Sequence, residues 1–428
     1  MVGRRPAAGR DGAGGLLCAS HGARERGCRC GGAAARAAGL WFGHLAHGID
    51  GAANGTGPVL ARAGPGILVD MGLDLDPGTA SQGNPRLIES IIWEMDDGAM
   101  PFWRFMELAL YHPAFGYYRK AGRVGRNGDF LTSPVIHPMF GWAIAGWCRE
   151  IWERLGRPPK FTIVEPGAGD GALAASILDW AAGRDDGFRD AIRYVAIEPN
   201  NPGSDERVEW TEGPVEPVSA GVVISNELFD AFPVRVFDAG PRGPVEVYVR
   251  WDGEQFVEIP GGVATIDDAP ASGRFEVNTQ AYGAMQSMCS LVERGAVLVF
   301  DYGYPQEELW APWRTAGTLL CFYRHTAHEN PYIHVGEQDI TTHVNFTELA
   351  AAAGEEGMAV YGPAAQAEFL RALGLGALVD GARSDLQEYF TRRRALEQLT
   401  DGAGLGRVRV LAATRGIEGP PPGFEPAR

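Results

Sequence analysis

The sequence predicts an α/β protein built on a mostly parallel sheet with helices on both faces. Short apolar runs, each stopped by Pro, Gly or an acidic residue, indicate buried strands at FTIVE (161–165), YVAIE (194–198), GVVISNE (221–227), AVLVFDYG (296–303) and RVRVLAA (407–413). Segments with helical apolar spacing separate such runs, as at 173–181. An apolar fraction of 45% in 428 residues is enough to bury a large core.

Other patterns surround this sheet. Residues 87–92 and 102–110 have apolar side chains at helical spacing, which predicts two helices ahead of the first central strand. Three segments at 233–237, 245–251 and 255–259 alternate polar and apolar residues. That alternation predicts an antiparallel ribbon inserted between strands of the sheet.

Composition excludes several classes of protein. The net charge of −16 disfavours nucleic acid as a partner and is compatible with a cationic substrate or cofactor. No run approaches the ~18 apolar residues of a membrane-spanning helix, so we expect no membrane partner. The six cysteines include no CxxC pair and the nine histidines no HExxH, so we expect no metal site.

The segment EPGAGDGAL (165–173) carries the strongest chemical signal. Its glycines permit a tight turn after a strand, and GxGxxA is also a dinucleotide-binding pattern. Glu165 and Asp170 would repel a pyrophosphate, whereas S-adenosylmethionine presents a sulfonium and an ammonium that carboxylates can hold. The acids therefore favour S-adenosylmethionine over NAD, and a strand-to-helix turn without any ligand remains the alternative.

Polar residues follow the next two strands at the same sheet edge. Glu198 ends one strand, where a carboxylate can accept hydrogen bonds from both ribose hydroxyls of an adenosine. Asn226, Glu227 and Asp230 end the following strand and are expected to face the same pocket. Asn226 could instead cap a helix.

Six sequence blocks, in order, resemble the MidA-like methyltransferases, a family that includes the mitochondrial complex I assembly-factor protein arginine methyltransferase. The blocks are MPFWRFMELALYHPAFGYY (100–118), GDFLTSPVIHPMFG (128–141), EPGAGDGAL (165–173), SNELFDAFPV (225–234), FDYG (300–303) and GTLLCFYRHTAHENPYIHVGEQDITTHVNF (317–346). Together they cover about residues 85 to 413.

The resemblance implies a Rossmann-like class I methyltransferase sheet with an N-terminal helical cover and an inserted antiparallel β-ribbon. It implies S-adenosyl-L-methionine as methyl donor and protein arginine as acceptor, with Glu227 and Asp230 as catalytic residues. The implied cofactor-binding residues are Gly167, Gly169, Gly171, Glu198, Asp129, Thr132 and Ser133, and the residue patterns described above add Glu165 and Asn226. Val135 stands where the family often has a glutamate, so we expect no catalysis there.

The composition and the resemblance together predict how the chain is divided into segments. Residues 1–80 are expected to be a disordered or spurious extension, with Met71 as the candidate start, because they are rich in glycine and arginine and lack lysine. Residues 81–150 are predicted to form the helical cover, and 151–415 the methyltransferase domain with its insert at about 233–285. Residues 416–428 are predicted to be a flexible tail.

We therefore expect a methyltransferase acting on arginine of a partner protein, possibly a respiratory complex subunit. Two alternatives remain: a small-molecule methyltransferase, and a catalytically degenerate binding or assembly factor. The second is raised by the proline-rich segment after Glu198, where the family usually has a helix beside the adenosine. The expected location is cytoplasmic, with the mitochondrial matrix as alternative.

Overall fold

The computed structural model describes residues 82–95, 98–119, 132–199 and 203–424. The predicted extension over 1–80, its candidate start at Met71 and the predicted cofactor residue Asp129 lie outside these described residues. No helix in the described ranges has both the length and the apolar character needed to cross a membrane.

The strands, in chain order, are β1 (Ala99–Pro101), β2 (Phe161–Pro166), β3 (Ile192–Ile197), β4 (Val208–Thr211), β5 (Gly221–Asn226), β6 (Arg235–Ala239), β7 (Val245–Trp251), β8 (Phe256–Val263), β9 (Gly273–Val277), β10 (Gly295–Asp301), β11 (Gly303–Tyr304), β12 (Leu320–Tyr323), β13 (Thr326–His328), β14 (Asp339–Thr341), β15 (Val344–Asn345), β16 (Ala359–Ala365) and β17 (Arg409–Arg415). The α-helices are α1 (Pro85–Glu94), α2 (Phe102–Tyr111), α3 (Ser133–Ile136), α4 (Met139–Arg154), α5 (Ala172–Ala182), α6 (Phe188–Ala191), α7 (Ala281–Ser290), α8 (Gln306–Leu309), α9 (Phe346–Glu355), α10 (Gln366–Ala372), α11 (Leu375–Asp380) and α12 (Leu386–Leu399). Short 3-10 turns lie at Tyr117–Arg119 and Leu405–Arg407.

A seven-stranded sheet in the order β16-β17-β10-β5-β2-β3-β4 forms the centre of the protein. The strands from β10 to β4 are parallel, whereas β17 is antiparallel to both β10 and β16. The chain leaves β2 toward β3 on one side, and β5 lies on the other. This arrangement creates a switch point between β2 and β5, where open α/β sheets bind ligands. The predicted α/β class is confirmed.

Helices cover both faces of this sheet because its strands are apolar on both sides. Ile163 faces the layer that contains α4, α5 and α10, whereas its neighbour Val164 faces the layer that contains α7 and α9. All six residues of β2 are buried, which explains its continuous apolar pattern.

A second, antiparallel sheet consists of β1, β6, β7, β8 and β9. The helices α1 and α2 pack on this sheet, and their core contains Ile91, Phe105, Val236, Val249 and Phe256, which are all buried. The segment Ala99–Pro101 adds a strand beside β7 that the sequence patterns do not indicate.

Three predicted boundaries do not fit this packing. The boundary between 150 and 151 falls inside α4, whose apolar side chains belong to the main core. The insert ends before 285, since α7 packs beneath the parallel sheet. The predicted tail at 416–428 is packed as far as Phe424, whose ring contacts Phe369, and the Trp147 indole donates to the Pro422 carbonyl. Ile417 and Phe424 pack against the main core, which composition alone does not indicate. Residues 425–428 lie outside the description.

Two glycines set the spacing of the central strands at their amino ends. Gly221 and Gly295 are paired in register at the starts of β5 and β10. A Cβ atom on Gly295 would lie 1.7 Å from the Gly221 carbonyl oxygen, and the φ of Gly295 is +148°. A side chain at 295 would therefore both collide with the neighbouring strand and strain the backbone.

We expect Gly295→Ala to lower the free energy of unfolding by at least about 2 kcal/mol, measured by urea denaturation. Gly376→Ala in α11 is the matched control, because a Cβ there meets nothing within 4 Å. An alanine within a helix should instead raise stability by about 0.5–1 kcal/mol. Equal unfolding midpoints for the two variants would contradict this interpretation.

Candidate functional site

The glycine-rich turn lies at the carboxyl end of β2, at the switch point of the sheet. Gly167, Gly169 and Gly171 have φ angles of +72°, +54° and +80°. Only glycine adopts this left-handed region without strain, so the three residues reverse the chain between β2 and α5. A Cβ on Gly171 would lie 2.9 Å from the Trp210 ring, and one on Gly167 would lie 2.9 Å from Leu228 Cδ1. The turn therefore also needs glycine for close packing.

Glu198 reaches this turn from the end of β3. Its carboxylate accepts a hydrogen bond of 3.0 Å from the Gly169 backbone N–H. The side chain is half-buried at the rim of the crevice. A carboxylate in this position can accept hydrogen bonds from neighbouring hydroxyls of a ligand.

Glu165 lies below the turn and not in the crevice. The residue is buried, and its carboxyl group accepts a hydrogen bond of 2.7 Å from the Tyr194 hydroxyl. Burial raises the pKa of Glu165 to about 8, with the tyrosine hydrogen bond opposing the rise. Glu165 is therefore largely protonated at neutral pH and is hydrogen-bonded within the sheet. The sequence instead predicted a charged carboxylate in direct contact with the cofactor.

The segment after β5 forms a tight turn and not a helix. Glu227 has a φ of +51°, which is unusual for a residue with a side chain. Residues 227–232 contain no helix, so Asn226 does not cap one there. Instead, Asn226 Nδ2 donates a hydrogen bond of 3.1 Å to Glu227 Oε1. The Asn226 Oδ1 atom is buried and has no hydrogen-bond partner among the described residues.

Asp301, which the sequence interpretation did not select, holds this turn in place. It is fully buried at the end of β10, and its Oδ2 atom accepts hydrogen bonds from the backbone N–H groups of Leu228 (3.1 Å) and Phe229 (2.8 Å). Burial raises the pKa of Asp301 to about 7 against these hydrogen bonds. An acidic residue ending a buried strand was the signal used for Glu198, and the same signal could have identified Asp301.

Two further acids lie close by. Asp230 is buried, and its pKa is raised by burial and then by the charges of Asp301 and Asp339. Asp339 is fully buried, and its Oδ1 atom accepts a hydrogen bond of 2.9 Å from the Tyr118 hydroxyl. Burial raises the pKa of Glu227 to about 8, and the charge of Asp230 adds to that rise. No sequence pattern indicates Asp339, because it begins a three-residue strand far along the chain.

Thr132 and Ser133 bring another segment to the same place. Thr132 precedes α3, and the backbone N–H of Ser133 hydrogen-bonds the Glu227 carboxylate and opposes the rise of its pKa. The Ser133 hydroxyl donates to Gln366 Oε1 at 3.0 Å. The structure thus brings the Ser133 backbone, and not its hydroxyl, to Glu227.

These residues form one crevice with two parts. The glycine turn and Glu198 lie over β2 and β3, and the four acids Glu227, Asp230, Asp301 and Asp339, defined here as the acid cluster, lie at and beyond the ends of β5 and β10. Among the described residues, no three His, Cys, Asp or Glu side chains converge closely enough to hold a metal ion. The crevice therefore offers a glycine turn beside buried carboxyl groups, of which Glu227, Asp230 and Asp301 have pKa values raised by burial.

In its described part, the segment after Glu198 lacks the helix that the resemblance implies beside the adenosine. Residues 203–220 contain no helix, and β4 lies there as the outer strand of the sheet. The Trp210 ring from β4 packs against the glycine turn. The Trp210 side chain thus packs against the turn, in the region where the sequence predicted only the loss of a helix beside the adenosine.

Comparisons with known proteins identify similar chains. The chain is 28% identical over 342 residues to mouse "Protein arginine methyltransferase NDUFAF7, mitochondrial", covering 70% of this chain and 76% of that protein. It is 26% identical over 390 residues to the human protein of the same name, covering 80% and 86%. These names place the relatives in mitochondria, which matches the alternative location and gives the cytoplasmic expectation no support.

A solved structure gives the same result. A Burkholderia thailandensis protein described as a "likely methyl transferase", bound to S-adenosyl-homocysteine, superposes with a TM-score of 0.72 at 29% identity. The match covers 86% of this chain and 98% of that one. The resemblance inferred from the six sequence blocks is confirmed. Residues 143–364, just over half of the chain, match the family described as "Putative S-adenosyl-L-methionine-dependent methyltransferase", and the chain belongs to this family of S-adenosyl-L-methionine-dependent methyltransferases.

Proposed function

We propose that this methyltransferase transfers a methyl group to an arginine side chain of a partner protein. The observation that carries the proposal is the acid cluster, in which the pKa values of Glu227, Asp230 and Asp301 are all raised. Buried carboxyl groups that suppress one another's charge favour a cationic ligand, because the cation offsets their repulsion. The relatives named as protein arginine methyltransferases support a guanidinium as that cation.

The cofactor fits the other part of the crevice. The Glu198 carboxylate, which lies against the glycine turn, can accept hydrogen bonds from ribose hydroxyls. The unpartnered Asn226 Oδ1 atom can accept a hydrogen bond from the cofactor ammonium. We assign Gly167, Gly169 and Gly171 to this site. We also assign Asp129, Thr132 and Ser133 to it, because the Ser133 backbone N–H hydrogen-bonds the Glu227 carboxylate. Glu165 supports the turn from below.

The chemistry needs alignment more than proton transfer. S-adenosylmethionine, when bound, supplies an electrophilic methyl group. The chain must hold a guanidinium nitrogen in line with that group and exclude water. Guanidinium nitrogens are weak nucleophiles because their lone pairs are delocalised. A Glu227 carboxylate paired with the guanidinium would orient it and stabilise its charge, with Asp230 as the second carboxylate.

The second sheet and the helices on it would form the remaining wall. We infer that β6–β9 are the inserted ribbon, and that α1 and α2 are the helical cover above it. The Tyr111 hydroxyl donates to the Ala231 carbonyl at 2.9 Å, which ties this lobe to the turn that carries Glu227. A polypeptide acceptor would lie between the two sheets. The names of the relatives favour a mitochondrial location, and a respiratory complex subunit is the partner that the sequence resemblance implies.

Glu198→Ala tests the cofactor site. We expect the dissociation constant for S-adenosylmethionine, measured by calorimetry, to rise about 10- to 100-fold, because hydrogen bonds to a charged group are lost. Glu206→Ala, which removes an exposed acid nearby, is the control and should leave affinity unchanged. Equal affinities for the two variants would remove Glu198 from the cofactor site.

Glu227→Gln tests the acceptor site. We expect loss of nearly all incorporation of radiolabelled methyl groups into arginine of cell-extract proteins, because a neutral amide cannot pair with the guanidinium charge. Cofactor affinity should change less than about twofold, since no cofactor contact is removed. Glu254→Gln, which changes an exposed acid in the turn between β7 and β8, is the matched control. Label found only in small molecules with the wild-type enzyme would overturn the arginine assignment, and full activity of Glu227→Gln would remove Glu227 from the mechanism.

The raised pKa values predict the pH dependence. Glu227 ionises with a pKa of about 8, so the carboxylate that pairs with a guanidinium becomes available as pH rises. We expect kcat/KM for the acceptor to increase from pH 6 to 9 and then to level off, because this parameter follows ionisation of the free enzyme. Cofactor affinity at each pH serves as the control. A profile that is flat or falls over this range would contradict the assignment.

A further inference from the structure

A cavity of about 340 Å³ lies next to the crevice and takes no part in the function proposed above. Its lining includes Tyr304, Arg371, Thr400, Arg407 and Arg409. Arg409 begins β17 and is paired in register with Asp301 on β10. Tyr304 lies three residues beyond Asp301. The cavity therefore opens at the same sheet edge as the acid cluster, on the side away from the glycine turn.

The cavity is basic in a chain whose net charge is −16. Its lining includes three arginines and one acid, Glu368. Arg371 donates to the Thr400 carbonyl at 3.3 Å, and Arg407 donates to the Tyr304 hydroxyl at 2.6 Å.

Arg409 has one donor that is not used. Its Nη2 atom forms an ion pair with Glu308 Oε2 at 3.7 Å. Its Nε atom is buried and has no hydrogen-bond partner among the described residues. Guanidinium groups in this situation bind a carboxylate or phosphate oxygen, preferably through two parallel hydrogen bonds.

The edge of the sheet thus carries three regions in order. The glycine turn and Glu198 lie over β2 and β3, the acid cluster lies over β5 and β10, and the basic cavity lies over β17 and β16. A ligand that spans the last two regions must carry a positive group and a negative group. A free anion would occupy only the cavity and would leave the acid cluster without a cationic partner.

We propose that the cavity binds the carboxylate of an aspartate or glutamate in the acceptor protein, close in sequence to the arginine that is methylated. This inference rests on the proposed function. The ends of β5 and β17 are two strand spacings apart, about 10 Å. An extended peptide covers about 3.3–3.6 Å per residue, so the acid should lie about three residues from the target arginine.

Synthetic peptides test the proposal with the full-length protein. Each carries one arginine and either Asp, Ala or Lys at two to five residues on either side, and kcat/KM is measured by methyl incorporation. We expect Asp about three residues away, on one side, to raise kcat/KM roughly 3- to 10-fold over Ala, and Lys to lower it, as found for partly exposed charge pairs. The preference should shrink at high salt.

Charge reversal in the cavity gives the sharper result. In Arg371→Glu, kcat/KM for the Asp peptide should no longer exceed kcat/KM for the Ala peptide. Lys should become the favoured residue at that position. Arg383→Glu, which makes the same charge change on an exposed loop, should keep the wild-type ratio. Equal use of all peptides by the wild type, or an unchanged ratio in Arg371→Glu, would overturn the proposal.

Two outcomes separate this inference from the function on which it rests. If no arginine peptide is methylated while S-adenosylmethionine binds, the arginine function fails and the cavity proposal fails with it. If all peptides are methylated equally, only the cavity proposal fails. Inhibition by inorganic phosphate that is the same for Asp and Ala peptides would assign the cavity to a free anion and overturn the proposal.

Discussion

A buried carboxylate at the end of β10 determines the geometry of the whole crevice. Asp301 accepts the backbone N–H groups of Leu228 and Phe229, which would otherwise be unsatisfied in a turn with no helix to use them. These bonds hold Glu227 at a positive φ that it would not adopt alone. The carboxyl group of Glu227 thereby lies beside those of Asp230 and Asp301. Acceptor chemistry depends on a backbone arrangement that one side chain fixes.

The same burial makes the crevice costly for stability and useful for binding. Glu165 and Glu227 have pKa values raised to about 8, above the values near 4.3 of an unfolded chain. The folded protein therefore binds more protons than the unfolded chain between these values. These two groups contribute their full stabilisation of the folded state below pH about 4.3, the pKa in the unfolded chain. That contribution is lost as the pH rises through about 8, the pKa in the folded protein. A bound cation counteracts that loss, so acceptor binding and proton release are linked.

The sheet could be predicted from sequence because its signals are local. Five apolar runs became its central strands, and the glycines of 167–171 required left-handed backbone that only glycine supplies. Asp339 could not be predicted, since a three-residue strand brings it to the crevice through pairing with β12. Glu165 was expected to face a cofactor, but strand alternation directs it toward Tyr194. Local patterns thus identified which acids end strands. Which of those acids lie together depends on the face of the sheet to which each side chain points, and on contacts with residues far along the chain.

Proton release on acceptor binding tests the central claim most directly. Calorimetric titration of an arginine peptide into the protein saturated with S-adenosylhomocysteine, in two buffers with different ionisation enthalpies, counts the protons released. At pH 7 we expect a release approaching one proton per peptide, because the guanidinium lowers pKa values that burial has raised. Binding without proton release, or with proton uptake, would show that the buried acids do not hold the arginine.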